Sequence, residues 1–92
     1  MKIADGSMAS TILSSEKVFR LVANMAGATV EVKDHPRSGG KNVWSSYTEL
    51  GKGWWISATP ADIAPETYLV AWFQDEKKML AFARMLGLRK NS

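Results

Sequence analysis

The chain has one histidine and no cysteine, so few of its residues could do catalysis. His35, beside Asp34 and close to Ser38, is the sole imidazole in 92 residues. A nucleophile, its base and an orienting carboxylate are normally gathered from distant segments, and three neighbours in one loop do not make that geometry. His35 is therefore read as an exposed loop residue. One imidazole flanked by one carboxylate also falls short of the ligand set that zinc or iron takes, so neither a metal nor any other cofactor is expected. Asp62 and Glu66 are paired carboxylates of the kind used in acid-base hydrolysis. Set around Pro65, they read instead as a solvated cap and its neighbour. The run Arg37, Ser38, Gly39, Gly40, Lys41 is phosphate-like, because glycine lets backbone N–H groups turn inward between two cations. It lacks the GxxxxGK[ST] spacing, and a strand follows where a phosphate-binding helix should start. A plain connecting loop is expected. An anion held there would be RNA backbone phosphate or an acidic patch on a partner rather than a nucleotide.

Aromatic placement says more. Trp54 and Trp55 are consecutive, and consecutive side chains on a strand leave opposite faces. Trp54, Ile56 and Ala58 would then share one side, with Trp55 and Ser57 pointing away. The same division puts Tyr68, Val70 and Trp72 on one side of a later strand and Leu69, Ala71 and Phe73 on the other. Trp44 and Tyr47, of opposite parity, add one aromatic to each side. If the helices roof a single face, the other exposes an aromatic patch, which soluble monomers seldom leave unused. The candidate binding residues are Trp44, Tyr47, Trp55, Tyr68 and Trp72, with Lys33, Arg37, Lys41 and Lys52 around them. The alternative is that helices flank both faces and every aromatic is core.

These side chains need elements to carry them. Val18, Leu21, Val22 and Met25 recur at i, i+3, i+4 and i+7, which predicts a helix over about 15–26 with Ser14 or Ser15 as N-cap and Gly27 as the stop. Residues 8–13 carry no decisive signal and are left open as an arm, a short strand or a helical turn. Residues 28–34 alternate, with Val30 and Val32 on one side and Glu31 and Lys33 on the other, and predict a strand. HPRSGGKN, residues 35–42, is a loop. Residues 43–50 and 54–58 predict a hairpin closed by Gly51, Lys52 and Gly53. Thr59, Pro60 and Asp62 suggest a helix start with room for about one turn before Pro65. The almost wholly apolar segment 67–73 predicts a central strand covered on both sides. Asp75 caps a last helix whose Met79, Phe82, Ala83 and Leu86 repeat the i, i+3, i+4, i+7 spacing, ended by Gly87 with Leu88 completing a Schellman cap.

The order α-β-β-β-β-α predicts a small two-layer α+β domain, an antiparallel four-stranded sheet packed against an N-terminal and a C-terminal helix. The expected core is Val18, Leu21, Val22, Met25, Val30, Val32, Ile56, Leu69, Ala71, Phe73, Met79, Phe82, Ala83 and Leu86. At 92 residues the chain makes one domain over 8–92. Residues 1–7, with Gly6 and Ser7 directly before a second methionine, read as a vector-derived tail; removing them takes away Lys2 and Asp5 and leaves the net charge at +3. With 46% hydrophobic and 23% charged residues the composition is that of an ordinary globular protein rather than a disordered tail. The lack of cysteine excludes disulfides and thiol chemistry, and neither a membrane span nor a signal peptide is read, so a cytoplasmic location is expected.

The function expected is non-catalytic: a protein–protein interaction module, or a small accessory or inhibitor protein, acting through its aromatic sheet surface. The partner would be another protein or a second copy in a homodimer. RNA or single-stranded DNA is the alternative, with bases on the aromatics and phosphates on the lysines and arginine. Glu31, Asp34 and Glu49 interleaved among the bases weaken that alternative, because a dedicated nucleic-acid binder clusters its cations.

Overall fold

The computed structural model describes residues 8–34, 45–50 and 53–88, with the backbone alone for 45–50. The chain is an α+β domain. Helix α1 (Ala9–Ile12) leads into α2 (Glu16–Met25), and strand β1 (Thr29–Asp34) follows; β2 (Ser45–Leu50), β3 (Gly53–Ala58) and β4 (Thr67–Phe73) precede the last helix, α3 (Glu76–Met85). The expected tail 1–7 and loop 35–42 lie outside the described residues.

The helices begin and end where short-range chemistry dictates. The Ser15 hydroxyl accepts the backbone N–H of Val18 at the head of α2, and the Asp75 carboxylate accepts that of Lys77 at the head of α3. Each satisfies a donor that has no partner within the helix. Gly27 and Gly87 adopt positive φ, 102° and 75°, just past the two helix ends. Ala28 N–H then reaches the Ala23 carbonyl and Leu88 N–H the Ala83 carbonyl, both at 2.9 Å, closing Schellman caps. The Lys78 side chain from α3 lies over Gly27, so its ammonium complements the negative end of the α2 dipole, whose last turn holds no basic residue.

In the antiparallel sheet β4 lies between β1 and β3. The β2 backbone continues the ladder from β3, Ser45 opposite Ala58 and Leu50 opposite Gly53. The register fixes two rows of side chains. Val30, Ala71 and Ile56 align across the sheet, as do Val32, Leu69 and Ala58; one residue along, Thr29, Trp72 and Trp55 align on the opposite face. All three helices pack on the first of these faces. Ile12, Phe19, Ala23, Met79, Phe82, Ala83 and Leu86 join Ile56, Ala58, Leu69, Ala71 and Phe73 in one apolar cluster. Phe82 stands at its centre, edge-on to Phe19 at 5.5 Å and tilted against Phe73 at 5.7 Å, both within the usual range for aromatic pairs.

Three expectations need correction, and one segment left open takes a definite form. Residues 8–13, left open in sequence, contain α1, because Ile12 finds a fully buried place in the core. The buried face of α2 is not Val18, Leu21, Val22, Met25 but Phe19 and Ala23, with Val22 and Ala26 at its margin. Leu21 and Met25 are 58% and 78% exposed, and Val18 is half-buried. Both stripes satisfy helical spacing, and the larger Phe19 ring decides which one turns inward. Val32 is 51% exposed although Leu69 and Ala58 in its row are sealed, because it stands on β1, which among the described residues is paired on one side only, so the row ends there. Finally, β4 is central but is not covered on both sides. Its residues alternate between buried Leu69, Ala71 and Phe73 and half-buried Tyr68, Val70 and Trp72. Its continuous apolar run serves a core on one face and an open aromatic surface on the other.

The expected helical start at Thr59 is a hydrogen-bonded turn, Ile63 N–H to the Pro60 carbonyl at 3.1 Å. Buried Pro60 anchors it, and Ala61 N–H bonds the Leu13 carbonyl at 2.8 Å, which ties the β3–β4 connection to the α1–α2 link.

Candidate functional site

On the face away from the helices lies an open groove of about 420 Å³ lined by Thr29, Glu31, Lys33, Trp55, Tyr68, Val70 and Trp72. Strand alternation makes it. The odd positions of β1, the even positions of β4 and Trp55 of β3 share one side of the pleat, and cross-strand pairing sets them in rows: Trp55 against Trp72 against Thr29, then Val70 against Glu31, then Tyr68 against Lys33. Aromatic and aliphatic carbon forms the floor, and the polar end is the β1 edge.

Gly53 is part of the construction. A Cβ there would come within 2.5 Å of the Phe73 carbonyl oxygen and about 3.1 Å of the Trp72 ring, so the missing side chain leaves room for the Trp72 indole to lie across β3. Among the described residues two polar atoms on this side are buried without a hydrogen-bond partner, the Trp55 indole Nε1 and the Ser57 hydroxyl. Ser57 is 1% exposed, so the face closes over the C-terminal half of β3 while it stays open above Trp55, Val70 and Trp72. At the rim Lys33 Nζ meets Glu31 Oε1 at 3.2 Å, both side chains at least half exposed.

Four of the expected binding residues, Trp55, Tyr68, Trp72 and Lys33, are brought together in this groove. Trp44, Arg37, Lys41 and Lys52 lie outside the described residues. For Tyr47 the backbone alone is described, paired with Ile56. Thr29, Glu31 and Val70 also line the groove and were not singled out in sequence, although their parity with Lys33 and Trp72 was the signal that could have found them. Among the described residues no group of three or more His, Asp or Glu side chains comes together to hold a metal ion, and no helix is long and apolar enough to cross a membrane.

Chemically the groove offers flat desolvated area and one neutralised charge pair. Comparison with protein-family models, with curated proteins and with solved structures finds no match.

Proposed function

We propose that this chain is a non-catalytic binding domain, a protein–protein interaction module of the accessory or inhibitory kind, which seats an apolar segment of another protein in the aromatic groove. The domain is then a two-layer unit with four strands in the order β1-β4-β3-β2, one layer carrying the fold and the bare sheet face carrying the interaction. The observation behind this is the convergence of Trp55, Tyr68, Val70 and Trp72 on one concave face that no helix covers. Trp and Tyr give large contact area at low entropic cost and dominate the centres of protein interfaces. The Lys33–Glu31 pair at the border supplies the mixed-charge rim such interfaces have.

The same pair favours a protein over RNA or single-stranded DNA. Backbone phosphates draw on uncompensated cations, whereas Lys33, the one basic side chain lining the groove among the described residues, is already engaged by Glu31.

Panning a random twelve-residue peptide library on the immobilised domain tests this. Selected peptides are expected to be rich in aromatic and aliphatic residues, to shift the amide resonances of Trp55, Val70 and Trp72, and to bind Val70→Glu at least about thirtyfold more weakly, as for loss of a central interface contact. Titration with dT12 and rU12 is the counter-test. Tight oligonucleotide binding that falls steeply between low and moderate salt, with no selected peptide engaging the groove, overturns the proposal in favour of nucleic acid.

A further inference from the structure

From strand β1 we infer a second interaction surface: this edge pairs with β1 of another copy, in antiparallel register about a two-fold axis through Val32. Among the described residues β1 hydrogen-bonds to β4 alone, so its outer edge carries a row of backbone donors and acceptors with no described strand beside it. Five of its six residues are exposed and Val30 is half-buried. Neither proline nor glycine interrupts the segment TVEVKD, so its backbone can accept another strand wherever the charges match.

The choice of a second copy comes from charge. Antiparallel pairing centred on Val32 sets Glu31 of each copy directly opposite Lys33 of the other, twice over, joining the two intrachain Lys33–Glu31 pairs into one alternating cluster, and Val32 against Val32 on the helix-bearing side. Shifting the register by two residues in either direction places Glu31 opposite Glu31 or Lys33 opposite Lys33, which opposes like charges across the ladder. A shift of one residue puts the two helix layers on opposite faces, and in one direction it sets Glu31 against Asp34. One in-phase register is therefore self-complementary and its neighbours are repelled. The charged residues that shield this edge from a foreign strand are the ones that select its own twin. Val32, 51% exposed in the isolated chain, gains an apolar neighbour in that register. The arrangement is isologous and closes on itself, so it ends at a dimer and not at a fibre. Its two-fold axis is perpendicular to a continuous sheet, which leaves both aromatic grooves on one face, meeting at the Glu31 and Lys33 rows.

Sedimentation velocity across a concentration series from micromolar to millimolar tests the inference, with circular dichroism melts confirming that each variant folds. The unaltered chain is expected to dimerise. Glu31→Lys and Lys33→Glu alone should each weaken self-association at least about tenfold, because each opposes like charges twice. Mixing the two single variants should restore the dimer, since one chain then presents two cations and the other two anions at the opposed positions, and the double variant Glu31→Lys with Lys33→Glu should dimerise by itself. A chain that remains monomeric to millimolar concentration overturns the inference. So does a dimer that both single variants leave intact, or a mixture that stays monomeric.

Discussion

Asp62 Oδ1 accepts the backbone N–H of Glu16 at 2.7 Å, although 46 residues of chain separate the two. Glu16 is the first residue of α2, so its N–H is one of the donors the helix leaves unpaired. Ser15 satisfies another at Val18, and Asp62 completes the cap from the β3–β4 connection. Asp62, read in sequence as a solvated cap on its own turn, thus caps a remote helix instead, and an anion there also suits the positive end of the α2 dipole.

Replacing Asp62 with alanine is expected to cost about 1 kcal/mol of stability, as for loss of a helix-capping acceptor. In a domain of this size that lowers the thermal midpoint by roughly 4–8 °C. Asp62→Asn, which keeps an acceptor oxygen, should lose less. Calorimetric melts of the two variants check the order.

Phe19→Ala should destabilise the domain by about 3–5 kcal/mol, most of what a chain this small has to lose. Met25→Ala, on the exposed face of the same helix, should stay within about 0.5 kcal/mol. Urea unfolding of the pair decides which stripe of α2 is core; equal losses would contradict the packing described.

Gly53→Ala is expected to cost about 1–3 kcal/mol as overpacking, since the added methyl meets the Phe73 carbonyl oxygen, which belongs to the backbone and cannot rotate away. It should also displace the Trp72 ring, read out as a shift in tryptophan fluorescence and in the indole N–H resonance.

Ser57→Ala should raise stability by about 1 kcal/mol, because it deletes a buried hydroxyl that has no partner among the described residues and leaves almost no cavity. A fall in the midpoint would mean that the hydroxyl is satisfied in solution.

Residues that act on their immediate neighbours were legible from the order of amino acids. Ser15, Gly27, Asp75 and Gly87 bound their helices through hydrogen bonds and backbone freedom spanning a few positions. The pleat sorted Trp54 from Trp55 and Tyr68, Val70 and Trp72 from Leu69, Ala71 and Phe73 with no knowledge of the partners. What was not legible was which of two equally periodic stripes on α2 faces inward, for Val18, Leu21, Val22, Met25 and Phe19, Val22, Ala23, Ala26 both repeat at i, i+3, i+4, i+7. Only the space beside Phe73 and Phe82 selects the second.

The one-dimensional string therefore determined the α+β class, the ends of α2 and α3 and the two-sided division of the aromatics on β3 and β4, because helical caps and strand alternation are local rules. The tertiary structure decided which face the helices take, why Val32 at the edge is uncovered while Leu69 beside it is sealed, and that Asp62 serves Glu16. Those outcomes depend on where helices land on the sheet, which is set by competition among distant surfaces for one limited core.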